Sequence, residues 1–373
     1  MKQLATSILL CVSLLIMHTA HAQNAAPVRL AVAGITHGHV PLILNRQGKT
    51  DVTIVGVYEP NTELAQRYAK QYHFDPKLIY NNLARMLDAV KPEAVAAFGS
   101  IYEHMAVVEA CAPRGIHVMV EKPLATNNAH AARMQQLAEK YNIHLLTNFE
   151  TSWYPTTEKT YQLIHDSSYL GAIKKVVVHD GHQGPKEIGV NKEFLDWLTD
   201  PVQNGGGALI DFGCYGANLM TYLMQDEKPL SVTAVTQQFK PDIYPKVDDE
   251  ATIIVSYPNA QCIIQASWNW PFARKDMEVY GQSGYIITKD ATNMQRRNKQ
   301  DEPVQTVQVT TNDIAVYQDP ISYFADVVRG KITMAKNSLY SLENNLMVVH
   351  ILDAARESAK TGKTVLLNLS GKK

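Results

Sequence analysis

"VRLAVAGITHGH", residues 28–39, decides the fold. A short apolar run stops at Gly34, and a polar turn follows. A strand that ends on glycine and runs towards a helix start is the first unit of a doubly wound sheet. The pattern then repeats. "VTIVGVYE" (52–59), "AVAAFG" (94–99), "HVMVEKP" (117–123) and "IHLLTNF" (143–149) read as further strands. "NTELAQRYAKQY" (61–72), "HMAVVEACAPRG" (104–115) and "NNAHAARMQQLAEKYN" (127–142) read as helices between them, the first capped by Asn61 or Thr62 and the second ended near Gly115. Alternating strands and helices with short connections predict a parallel sheet covered on both faces.

After residue 150 the texture changes. "AIKKVVVHD" (172–180), "LSVTAVTQQF" (230–239), "EATIIVSY" (250–257) and "QCIIQASWNW" (261–270) alternate apolar and polar residues, and the last two flank a turn at Pro258-Asn259-Ala260. "MEVYGQSGYIIT" (277–288) follows, then a polar stretch, 289–303, expected as a surface loop. A helix is expected over 341–362. The predicted fold is an α/β domain over 27–149 and an α+β domain over 150–373 with an open, mostly antiparallel sheet.

Residues 1–22 carry the features of an export signal: Lys2 as the only charge, the apolar "ILLCVSLLIM", and Ala20-His21-Ala22 as a small-residue cleavage site. The apolar run is too short for a membrane span. The expectation is a protein exported to the periplasm or beyond, with cleavage near Ala22 and no membrane insertion afterwards. The formal net charge of −1 offers no basic footprint for nucleic acid. Of four cysteines, Cys111, Cys214 and Cys262 remain after the signal, so at most one disulfide could form.

The turn after the first strand supplies Gly34, with Thr36 and His39 at the second and third positions of a GxGxxG fingerprint and Gly38 just off register. Small residues there let the backbone approach a pyrophosphate. Glu59, at the end of the second strand, can hydrogen-bond both ribose hydroxyls of an adenosine and would repel a 2′-phosphate, which favours NAD over NADP. His37 and His39 form an HxH pair. A third ligand at metal-binding spacing is missing from the sequence, so they are expected to hydrogen-bond phosphate or cap the next helix, with no metal.

"GIHVMVEKPLATN" (115–127), with His104 upstream, and "NGGGALIDFGCYGANLM" (204–220) are similar to two marks of the Gfo/Idh/MocA family of nicotinamide-dependent oxidoreductases. "VDDEATIIVSYPNA" (247–260) and "VYGQSGYI" (279–286) add to the resemblance. It implies a Rossmann domain followed by a substrate and oligomer domain, hence a homodimer or homotetramer. It implies Lys122, Asp211 and Tyr215 as catalytic residues, although many relatives carry histidine where this chain has Tyr215. Ser100, His104, Glu121, Lys122 and Asn148 join Gly34, Thr36, His37, Gly38, His39 and Glu59 as expected cofactor contacts. Trp153 and His182 join Lys122, Asp211 and Tyr215 as expected substrate contacts.

Under that resemblance, hydride leaves a sugar carbon while a base takes the hydroxyl proton and a cation faces the developing oxyanion. Lys122 is expected to be the cation and Tyr215 the proton carrier, or the two in swapped roles, with Asp211 positioning substrate hydroxyls. Export adds a constraint: outside the cytoplasm no large pool of NAD(P) reloads an enzyme, so the cofactor should be held tightly or recycled in place. Three readings follow: a sugar oxidoreductase, a redox-neutral glycosidase acting through transient oxidation, and a non-catalytic sugar-binding protein.

Overall fold

The computed structural model describes residues 26–368 apart from 47, 166 and 168; the expected export signal lies outside them. The first sheet contains six parallel strands: β1 (Val28–Ala33), β2 (Val52–Tyr58), β3 (Ile79–Tyr80), β4 (Ala94–Ala97), β5 (His117–Glu121) and β6 (Leu145–Asn148). Their order is β3-β2-β1-β4-β5-β6. The order reverses between β1 and β4, where an open α/β sheet forms its ligand crevice at the carboxyl ends of the strands.

Five helices belong to this half: α1 (Pro41–Leu44), α2 (Thr62–Tyr72), α3 (Leu83–Val90), α4 (Glu103–Cys111) and α5 (Asn128–Tyr141). Caps set their limits. The Asn61 side chain accepts from the Leu64 N–H at the start of α2, and Asn127 does the same for His130 in α5. Alternation along β1 sends Ala31 and Ala33 to one face with Leu137 and Val108, and Leu30 and Val32 to the other with Leu64 and Ile43. The helix expected after Gly34 is a single turn, α1. The sequence reading did not anticipate β3 or α3. β3 is only two residues long and shows no period, whereas α3 carries apolar residues at 83, 86, 87 and 90, a helical spacing confined to two turns.

The second half holds β7 (Ile173–Gly181), β8 (Ser231–Gln237), β9 (Glu250–Ser256), β10 (Gln261–Ser267), β11 (Arg274–Gly281), β12 (Tyr285–Thr288), β13 (Asn293–Arg297), β14 (Gln305–Gln308) and β15 (Val365–Leu366). They form one sheet in the order β14-β13-β12-β11-β7-β10-β9-β8-β15, antiparallel except for the β7–β10 pair. The stretch 289–303 is therefore not only a loop: β13 lies inside it and pairs with β12. Its one buried anchor, Met294, sits among polar residues typical of a strand near an edge, which hid the alternation.

The helices of this half are α6 (Pro155–His165), α7 (Lys192–Leu198), α8 (Ala208–Asp211), α9 (Gly213–Met224), α10 (Pro320–Val328) and α11 (Leu342–Thr361). α9 and α11 cover one face of the nine-stranded sheet, where Ile253, Ile264, Ala217 and Leu352 share a core. The opposite positions of β9 and β10 are half-exposed. α10 crosses back: Ile321, Phe324 and Val327 pack with Leu30 and Val32 of the first sheet. The two halves thus share a core as well as a crevice.

Candidate active site

At the crevice, Gly34 has φ +73°. A Cβ on it would lie 2.7 Å from the Gly99 amide nitrogen, so only glycine lets the turn pass this close to the exit of β4. The Ile35 N–H donates to Glu59 Oε2 at 3.2 Å and the Asn61 N–H to Oε1 at 2.9 Å. Burial raises the Glu59 pKa, while those two amides pull the other way. Gly34, Thr36, Glu59, Gly99 and His104 line one cavity between β1, β2 and β4.

His104 is buried, and its Nδ1 lies 3.1 Å from the Leu124 carbonyl. Burial lowers its pKa to about 4, so at neutral pH Nδ1 carries the proton and donates to that carbonyl. Its Nε2 is buried with no hydrogen-bond partner among the described residues, a ready acceptor beside the cavity. Ser100 Oγ donates to Gln203 Oε1 at 2.7 Å, and the Ser100 N–H donates to Glu103 Oε2 at 2.8 Å. Ser100 therefore ties the start of α4 to the second half. Thr36 Oγ1 accepts from Trp197 Nε1 at 3.1 Å, and the His37 ring lies 4.8 Å from that of Phe194. α7 is thereby held over the first turn, with Gly38 passing beneath it.

The HxH pair does have a third partner. His37, His39 and Glu121 offer ligand atoms within 4.8 Å of one another. This corrects the expectation from spacing, because Glu121 comes from β5, far along the chain. His39 Nδ1 and Glu121 Oε2 are 2.9 Å apart, so the two side chains bond directly. Asn148 Nδ2 donates to Glu121 Oε1 at 2.8 Å, and Trp153 Nε1 donates to Asn148 Oδ1 at 2.9 Å. Burial would raise the Glu121 pKa, but His39, His37 and the Asn148 amide hold it down at about 2. Glu121 is thus a buried carboxylate linking the first turn to β6. Asn148, expected at the cofactor, is engaged at both ends of its amide. Trp153 stacks on Tyr340 with ring centroids 5.4 Å apart and also lines the cleft with His39 and Asn148.

Lys122 follows at the end of β5. It is buried, and its Nζ donates to the Asp211 carbonyl at 2.9 Å and also to Asp211 Oδ1. Asp211 Oδ2 accepts from Trp268 Nε1 at 3.0 Å. Burial works against the Lys122 charge, but the Asp211 carboxylate more than offsets it and keeps the pKa above the ordinary lysine value. Lys122 is therefore a fixed cation rather than a base. Asp211 differs from expectation: its carboxylate is taken up by Lys122 and Trp268, so it orients the lysine. Gly207 explains how Asp211 arrives there. A Cβ on it would meet the Asp248 carbonyl at 1.8 Å, and the Gly207 and Leu209 N–H groups donate to the Asp248 carboxylate.

Tyr215, on α9, places its ring 5.2 Å from Lys122 Nζ. Burial, reinforced by Glu150, Asp211 and Asp180, pushes its phenol well above the usual range. His182 Nδ1 accepts the Gly184 N–H at 2.9 Å, and burial lowers its pKa, which leaves the proton on Nε2. His182, Phe212, Glu150, Tyr154 and Lys275 line the neighbouring cavity. The structure therefore brings Lys122, Asp211, Tyr215 and His182 together on one side and Gly34, Thr36, Glu59 and His104 on the other. Lys275, Glu150 as its partner, Asp180 and Trp268 join them without having been among the expected site residues.

A parallel sheet with a glycine turn, a buried carboxylate after its second strand and a buried lysine at its carboxyl edge is the arrangement of a dinucleotide-dependent oxidoreductase framework. Residues 28–149 match the family model for the oxidoreductase family with an NAD-binding Rossmann fold, and residues 159–287 match the GFO/IDH/MocA C-terminal domain. The chain belongs to the Gfo/Idh/MocA oxidoreductase family. It is 30% identical over 242 residues to trans-1,2-dihydrobenzene-1,2-diol dehydrogenase of Xenopus laevis, covering 63% of this chain and 67% of that one. It is 25% identical over 271 residues to D-xylose 1-dehydrogenase (NADP(+)) 2 of Haloferax volcanii, covering 71% and 77%. The fold is shared with an inositol dehydrogenase homolog of Azotobacter vinelandii in complex with NAD+, at TM-score 0.79 and 18% identity over 92% of this chain and 98% of the other. It is also shared with aldose-aldose oxidoreductase of Caulobacter crescentus complexed with glycerol, at TM-score 0.76 and 21% identity over 91% and 100%.

Proposed function

We propose that this protein is an NAD-preferring oxidoreductase acting on a hydroxyl of a sugar or related polyol. The observation that carries this reading is the placement of Lys122 beside Tyr215 at the carboxyl edge of the first sheet. The residues present fit a dinucleotide: the Gly34 turn borders a cavity at the strand ends, and Glu59 and His104 Nε2, which line it, would supply acceptors for hydroxyls of the dinucleotide. Bound there, the nicotinamide supplies or removes hydride. Lys122 faces the oxygen on which negative charge develops, held in place by Asp211. Tyr215, kept as the neutral phenol by burial, donates the proton in reduction and, once ionised, takes the hydroxyl proton in oxidation. His182 Nε2–H and the carboxylate of Glu150 are the neighbouring groups that would orient further hydroxyls.

The relatives named above are dehydrogenases and oxidoreductases, and nothing in them supports the glycosidase or the non-catalytic reading. We also propose that the protein acts after export, with the dinucleotide retained and turned over in place, and that the half-exposed face of the second sheet pairs two copies. The test is absorbance and mass measurement of co-purifying dinucleotide, followed by a screen of monosaccharides and polyols. Lys122→Ala is expected to keep the dinucleotide and to lose turnover about 100- to 1,000-fold. Near-normal turnover by that variant overturns the assignment. Mass measurement of exported protein should place its first residue near position 23, and light scattering tests the pairing.

A further inference from the structure

Tyr215 faces two ammonium groups, not one. Lys122 Nζ and Lys275 Nζ each lie 5.2 Å from its ring centroid. They come from different halves: Lys122 follows the last residue of β5, and Lys275 stands on β11 directly opposite Asp180 of β7. Lys122 is matched by Asp211. Lys275 is matched by Glu150, whose other oxygen accepts the Tyr154 hydroxyl at 2.5 Å. Glu150, Tyr154 and Lys275 line the cavity that also holds His182 and Phe212, so this second pair borders the substrate space.

The charges around Tyr215 make the second lysine consequential. The groups facing it are Lys122 from β5, Glu150 after β6, Asp180 from β7, Asp211 and Cys214 from the α8–α9 segment, and Lys275 from β11. Asp180 is buried, with neither carboxylate oxygen hydrogen-bonded, and burial strongly favours its neutral form. Two carboxylates, Glu150 and Asp211, then stand against two ammonium groups. Without Lys275 the balance at Tyr215 becomes negative, and a phenolate there loses half its cationic support.

We propose that Lys275, anchored by Glu150, is a positioning residue of the reaction: a second ammonium beside the Tyr215 ring that stabilises its phenolate while the substrate proton is taken up. The inference rests on the reading of Tyr215 as the proton carrier. The proton moves from the substrate hydroxyl to the Tyr215 oxygen after the phenol has given its own proton to solvent, the hydride goes to the dinucleotide of the proposed function, and Lys275 remains charged throughout.

The test is the pH profile of kcat/KM for oxidation by the dinucleotide-loaded enzyme. Lys275→Met should move the rising limb up by about one pH unit or more. Lys275→Arg should leave the limb near its wild-type position, and dinucleotide affinity should be unchanged in both. Lys275→Gln removes the same charge with a shorter polar side chain and should move the limb the same way, which keeps the proposal testable should Lys275→Met fail to fold. A limb that superimposes on wild type in either variant overturns the proposal. Tyr215→Phe separates it from its foundation: an active Tyr215→Phe enzyme defeats the proton-carrier reading itself, whereas an inactive one with an unmoved Lys275→Met limb defeats only the role of Lys275.

Discussion

Lys122, the residue after β5, and Asp211, the last residue of α8, form a buried ion pair that fastens the first sheet to the second half of the chain. The lysine donates to both the carbonyl and the carboxylate of the aspartate. Two charges taken out of water gain little overall, but either one alone is costly. Lys122→Met or Asp211→Leu should each lower the unfolding free energy by about 3–5 kcal/mol. The double variant should recover most of that loss while remaining inactive. Denaturant unfolding measures it, and a double variant no more stable than the singles would show that the pair does not account for the cost.

Glu59 should set the choice of dinucleotide. Its carboxylate is fixed by the Ile35 and Asn61 amides, and a 2′-phosphate would bring a dianion against it. Tighter binding of NAD than of NADP is expected, by tenfold or more on the ordinary scale of one repulsive contact, about 1.4 kcal/mol. Glu59→Gln keeps an acceptor for the turn and should narrow the ratio chiefly by improving NADP. Calorimetric titration of both dinucleotides decides this, and an unchanged ratio removes Glu59 from the specificity argument.

Gly34→Ala should damage both stability and dinucleotide binding. The new methyl would meet the Gly99 backbone nitrogen at 2.7 Å, with φ at +73°, so neither contact nor conformation is tolerable. A drop of about 2 kcal/mol or more in unfolding free energy is expected, together with at least a tenfold loss of NAD affinity. A variant that binds NAD normally would mean the turn has more room than its contacts indicate.

Much of this was written locally in the chain. The strands that hold Lys122 and Glu59 show continuous apolar runs, and Asn61, Asn127 and Gly362 mark helix ends by residue type. What was not legible depends on distance along the chain. Glu121 meets His39 across 82 positions, and Lys275 meets Glu150 across 125; no local period reports such pairings. Asp211 is marked by its motif, but its partners within the protein are not, because only the folded chain brings Trp268 onto its second oxygen. β13 escaped because a strand near the sheet edge needs a single buried anchor, Met294, and its polar neighbours read as loop.

His104 should make stability fall in mild acid. It is buried, neutral at Nε2 and tied by Nδ1 to the Leu124 carbonyl, and burial holds its pKa at about 4 against an ordinary value of 6.5. In the unfolded chain it takes up a proton near pH 6.5, whereas in the folded chain it does so only near pH 4. Between those values the unfolded state binds more protons, so stability decreases as pH falls, by about 3 kcal/mol for this one group. Above pH 6.5 its contribution is fully present, and below pH 4 it is gone. Other buried groups add their own slopes, so the comparison must be with His104→Gln, which cannot titrate. Unfolding of both proteins, freed of dinucleotide, should show wild type ahead at pH 7 and that lead shrinking steadily towards pH 4.5. A lead that stays constant over the interval would mean His104 keeps its ordinary pKa in the folded protein, and with it no neutral Nε2 acceptor in mild acid.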